Sequence, residues 1–113
     1  MNIWYRVSDL EAARSFYVDR LGFAEVYFDE EDRWIRLRRN GVEIAISDAE
    51  FQGGSPSDEE LVATIEVEDV KAEAERLREA GVELGVIVEI PGTICLLDVF
   101  DPDGNRLQLS EDL

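Results

Sequence analysis

The chain repeats itself. When RVSDLEAARSFYVDRLGF is laid against EVEDVKAEAERLREAGVEL, Val7 falls over Val67 and Asp9 over Asp69. Each copy opens with an alternating apolar run, continues at helical spacing and then gives three more strand-like runs, so the pattern is βαβββ twice. Two copies are fewer than the three or more that solenoid stacking needs. Paired modules in one α+β domain fit better, with module one at 1–48, a linker at 49–59 and module two at 60–113. Around that linker FQGGSPSDEE clusters Gly, Ser, Pro and acids without periodicity.

In the first copy Ile3, Tyr5 and Val7 alternate with Asn2, Trp4 and Arg6, the period of a strand with one face on a core. Ser8 is expected to start the helix, forming a capping box with Glu11 in SDLE. Leu10, Ala13, Tyr17 and Leu21 then recur at helical spacing, and Gly22 stands where a left-handed cap belongs. Strands are expected near 23–29, 32–38 and 42–47, the last after the hairpin dipeptide Asn40-Gly41. The second copy follows the same order. Residues 61–67 form its strand, Asp69 its helix cap, Val70, Ala74 and Leu77 the buried stripe, and Gly81 the helix end. Strands near 82–90, 93–100 and 105–110 are separated by turns at Pro91-Gly92 and DPDGN.

Composition excludes several functions. Among 113 residues, 27 are acidic and 11 basic, and the formal net charge of −16 repels nucleic-acid backbones. Lys71 is the single lysine, a pairing of many carboxylates with little lysine that is met in salt-adapted proteins. No apolar run approaches the roughly 20 residues of a membrane span. The N-terminal MNIWYRVSDLEAARS lacks the basic and apolar regions of a secretion signal, so a cytoplasmic location is expected. The lone Cys95, within TICLL, reads as a buried, inert thiol.

Two stretches at opposite ends carry a resemblance that covers nearly the whole chain. VSDLEAARSFYVDRLGF resembles the opening strand, acidic turn and helix of the vicinal-oxygen-chelate superfamily, the glyoxalase, bleomycin-resistance and dioxygenase proteins, and DPDGNRLQLSE resembles its closing hairpin. The resemblance implies two modules that curl a half-open, eight-stranded sheet around a cup, with two helices on the outer face, usually in a homodimer. Enzymes of the family hold a divalent metal there on His, Glu or Gln side chains. Carried over position by position, those ligands fall on Asn2, Ala45, Val62 and Gln108. Two have no donor atom and two offer only a neutral amide, a poor match for ions that prefer imidazole, thiolate or carboxylate. No metal and no cofactor are therefore expected, and the Lewis acid of the family's chemistry is lost with them. With no histidine in the chain and no recognisable serine elbow, no nucleophile and base pair replaces it.

Strand alternation separates two faces. Ile3, Tyr5, Val7, Val42, Ile44, Ile46, Ala63, Ile65, Val67, Leu107 and Leu109 would face the helices. The opposite set is chemically mixed, and from it Trp4, Arg6, Trp34, Arg36, Glu43, Thr64, Glu66 and Gln108 are the candidate ligand-binding residues. Two tryptophans among charges suit a planar or cationic small molecule, held by stacking, with Glu43 and Glu66 as counter-charges to a cation. The competing reading makes this face a dimer interface or a solvated sheet, with Arg6 and Arg36 paired to Glu66 and Glu43. The resemblance favours a metal-independent binding protein of the bleomycin-resistance kind. A lyase, isomerase or dioxygenase with an atypical site, and a dimeric interaction module without a small ligand, remain the alternatives.

Overall fold

A computed structural model describes residues 3–49 and 62–113, so most of the expected linker and Asn2 lie outside the described residues. Module one runs β1 (Ile3–Arg6), α1 (Leu10–Ser15, continued by a π-helical turn over Phe16–Arg20), β2 (Ala24–Asp29), β3 (Trp34–Arg39) and β4 (Val42–Ser47). Module two repeats the order with β5 (Ala63–Glu66), α2 (Val70–Glu79), β6 (Glu83–Ile90), β7 (Ile94–Phe100) and β8 (Arg106–Asp112). Hydrogen bonds link the strands as two sheets of four, ordered β1-β4-β3-β2 and β5-β8-β7-β6. In each sheet the first and last strands of the module run parallel and the remaining pairs antiparallel.

The first helix departs from expectation at its start. Ser8 is not the cap and the SDLE box does not form: Asp9 has extended backbone angles, and its carboxylate accepts from the Ala12 N–H at 3.1 Å. The Ser8 N–H donates instead to Asp103 Oδ1 at 3.1 Å, and Glu11 turns outward to Arg33. The second helix has the equivalent cap, Asp69 accepting from the Ala72 N–H at 3.0 Å. A further carboxylate serves each helix start from the end of the module's last strand, Asp48 for the Leu10 N–H and Glu111 for the Val70 N–H. β3 also begins later than expected. Asp29 Oδ1 takes the Asp32 N–H at 2.9 Å and Arg33 stands at φ 58°, which keeps both residues in the turn. At the next hairpin Asn40 and Gly41 both have positive φ, 48° and 79°, the twist that a two-residue hairpin turn requires.

The helix-facing set is buried or packed against a single core shared by both modules, as are Val70, Ala74 and Leu77 of α2. Polar contacts lock the halves. Tyr5 O–H donates to the Arg106 carbonyl at 2.7 Å and its oxygen accepts from the Ala63 N–H at 3.0 Å. The π-helical turn buries the adjacent rings of Phe16 and Tyr17, and Tyr17 O–H donates to Asp101 Oδ2 at 2.8 Å. Asp101, 3 % exposed, also accepts from the Asp103 and Asn105 N–H groups and from Asn105 Nδ2. The DPDGN segment is therefore a buried clasp between the modules as well as a turn. On the far side Arg39 of β3 pairs with Glu73 of α2, which Arg76 also grips.

Candidate functional site

The opposite face of the first sheet is built by cross-strand register. Tyr27, Arg36, Ala45 and Trp4 lie in one row across β2, β3, β4 and β1. Trp34 stands beside that row, its ring centroid 5.5 Å from that of Trp4 and 5.1 Å from that of Tyr27, both pairs tilted. The Arg36 guanidinium carbon lies 5.6 Å from the Trp34 ring and 6.0 Å from the Tyr27 ring, within cation–π range. Arg36 Nε approaches Glu43 to 3.2 Å without hydrogen-bond geometry and stays buried with no hydrogen-bond partner. Arg38 donates to the other oxygen of Glu43 at 2.8 Å. Ala45 is 1 % exposed, so larger side chains close over the floor of the row.

The second sheet presents a different surface. Thr64 and Glu66 are exposed on β5, and Gln108 on β8 is half-buried between neighbours. The Thr64 hydroxyl donates to Gln108 Oε1 at 3.5 Å, and Gln108 Nε2 donates to Asp98 Oδ1 at 3.4 Å. Arg106 pairs with the same Asp98 at 3.4 Å. The expected site residues thus gather in two groups, Trp4, Arg6, Trp34, Arg36 and Glu43 on the first sheet and Thr64, Glu66 and Gln108 on the second. Glu43 has the arginine partnership expected in the competing reading, and a second arginine besides.

Sequence alternation missed two members of these faces. Tyr27 was out of phase because a bulge at Val26 shifts the register between Glu25 and Tyr27. Asp98 sits in ICLLDVF, where both faces of the strand read as apolar and period two cannot choose between them.

The residues at the metal positions do not suit a metal. Among the described ones Ala45 presents a methyl, Val62 an isopropyl and Gln108 an amide engaged by Thr64 and Asp98. No group of three His, Cys, Asp or Glu able to hold an ion occurs among the described residues. Two other reactive side chains among the described residues are engaged or buried. Ser47 Oγ donates to the Arg33 carbonyl at 2.7 Å, and Cys95 is buried, which pushes its thiol above the usual range. Away from the face, Arg33 clamps Glu11 and Asp48, holding both carboxyls below their ordinary values.

No curated protein sequence matches the chain. Solved structures do. TnmS3, an antibiotic binding protein from Streptomyces sp. CB03234, superposes with a TM-score of 0.78 at 24% identity, over 100% of this chain and 96% of that one. The genomically encoded fosfomycin resistance protein FosX from Listeria monocytogenes gives 0.77 at 18%, over 100% and 92%. A glyoxalase/bleomycin resistance protein/dioxygenase superfamily member from Sphaerobacter thermophilus DSM 20745 gives 0.71 at 25%, over 99% and 97%. The family model of the Glyoxalase/Bleomycin resistance protein/Dioxygenase superfamily matches residues 2–109. With that match spanning nearly its full length on the fold these structures share, the chain belongs to the Glyoxalase/Bleomycin resistance protein/Dioxygenase superfamily.

Proposed function

We propose that the protein binds a planar small molecule without a metal and acts as a homodimer, its two modules forming one domain. The observation that carries this reading is the aromatic face of the first sheet, where Trp4, Trp34 and Tyr27 stand 5.5 and 5.1 Å apart around a guanidinium, outside the core. Aromatic side chains with a few charged neighbours are what a largely apolar ligand site requires. The poor donor set at the metal positions argues for binding over metal-assisted turnover. The antibiotic binding of TnmS3, a structure with the same fold, supports sequestration as the role. The single buried cysteine fits the cytoplasm, a reducing compartment.

Screening planar compounds for thermal stabilisation tests the reading, since a ligand at 100 times its Kd adds about 2.7 kcal/mol. Trp34→Ala should then weaken the best hit by on the order of 2 kcal/mol, the loss typical of a central aromatic anchor. Affinity unchanged from the native chain in both Trp34→Ala and Trp4→Ala would place the site elsewhere.

A further inference from the structure

We infer that the ligand of the first sheet's outer face is a planar aromatic anion, such as an aromatic carboxylate, with its ring on the tryptophans and its charge on Arg36. This rests on the binding reading above and adds the sign of the ligand's charge.

The balance of charge on the face is the starting point. Arg36 and Arg38 converge on Glu43 at 3.2 and 2.8 Å, so among the described residues two guanidiniums share this carboxylate and one positive charge is left over around it, while Asp29, the next carboxylate of the face, stands beside Trp34 and accepts from the Asp32 N–H. In a chain of net charge −16, a surplus cation beside half-buried rings runs against the composition. A cationic ligand meets that surplus and finds Glu43, whose side chain is 23% exposed, already neutralised.

Arg36 itself is in a state suited to an anion. Its Nε is buried against Glu43 without a hydrogen-bond partner, so of the five donors in the planar guanidinium fork it is those of the two terminal nitrogens that can meet a ligand. That fork takes a carboxylate through two parallel, charge-assisted hydrogen bonds, and stacking on aromatic rings leaves its donors usable. The rings of Trp34 and Tyr27, 5.6 and 6.0 Å away, hold the guanidinium in place beforehand, so little side-chain freedom is lost on binding. Because Ala45 beneath is already covered, the ligand's ring lies on the tryptophans, with its charged group directed at Arg36.

The test is calorimetric titration of the intact protein with three matched probes, 2-naphthoate, 2-naphthamide and 2-naphthylmethylammonium. Naphthoate should bind about tenfold or more tightly than the amide, with the ammonium weakest; tenfold corresponds to about 1.4 kcal/mol, near what a hydrogen bond to a charged group supplies. Arg36→Gln should abolish the preference for the acid while leaving naphthamide affinity within about threefold, because the stacking surface stays. Arg36→Lys keeps the charge without the fork and should retain part of the preference, which guards against misreading a folding defect. If acid and ammonium bind equally, or the acid preference survives in Arg36→Gln, the inference about charge is overturned while the binding reading stands. Absence of saturable binding by all three probes at millimolar concentration overturns both.

Discussion

A carboxylate cut off from water is costly unless hydrogen bonds replace its hydration, and Asp101 has four donors, one of them from the other module. Tyr17→Phe removes that donor and nothing else of the ring. It should lower stability by about 1–3 kcal/mol, read as a smaller urea midpoint. The same pair sets an alkaline limit. Burial first, then the Asp101 charge, pushes the Tyr17 phenol well above the usual tyrosine range, with Tyr5 and Asp103 adding to the effect. The folded state thus holds this proton more tightly than the unfolded chain does. Its contribution is complete below the ordinary tyrosine value of about 10 and is lost as pH rises from there through the folded value. Tyr17→Phe should therefore lose stability less steeply above about pH 10 than the native chain, with Tyr5 and Cys95, both raised by burial, and Lys71, raised by its bond to Glu89, contributing to the loss that remains. Parallel alkaline profiles for the two proteins would show that Tyr17 is not the group responsible.

The elements follow local rules with exceptions in one cap, in one helix type and in register, which shifts once in each sheet, between Glu25 and Tyr27 and between Leu84 and Ile87. Two acceptors competed for the first helix start. The box motif pointed to Ser8, but the cap is Asp9, the residue that the repeat lays over the Asp69 cap of the second helix, because Ser8 is drawn into the Asp103 contact. Asp9→Ala should cost about 1 kcal/mol and Ser8→Ala should leave the midpoint nearly unchanged, since Ser8 contributes its backbone N–H. Equal losses would restore the Ser8 cap. The bulge at Val26 and the π-helical turn at Phe16–Arg20 each add a residue to a regular element. Neither left a mark in hydrophobic periodicity, yet the first brings Tyr27 to the aromatic face and the second buries Tyr17 against Asp101.

At the scale of the molecule, an elongated body of 46 × 27 × 22 Å keeps both helix-facing surfaces on one core and leaves the opposite sheet faces outside it. On the second sheet, register places Val88 beside Leu96 and Ile90 beside Ile94 on that outer face, with Val88 48% and Ile90 49% exposed. Both β2 and β6 are sheet edges with exposed apolar residues, a feature that monomers ordinarily avoid. A second copy covering these surfaces is the arrangement proposed above. Sedimentation at micromolar concentration should give a dimer, and Val88→Glu should shift it to monomer with unchanged far-ultraviolet circular dichroism. A native chain that sediments as a monomer would remove the proposal.

Much of the fold was readable because it rests on local chemistry repeated twice. Alternation in β1, β4, β5 and β8, the Asp69 cap of the second helix, Gly22 after the first helix and the Asn40-Gly41 turn each act within a few residues, where spacing alone specifies conformation. Trp4, Trp34, Arg36 and Glu43 were readable as one face for the same reason. The tertiary structure alone decided what depends on distant partners: that DPDGN closes over Tyr17, that Tyr5 ties β1 to β5 and β8, and that Arg38 joins Arg36 on Glu43. Whether a carboxylate on a sheet awaits a ligand or is already neutralised is set by side chains arriving from other strands, and a sequence period carries the face of each strand but not the partners that meet there.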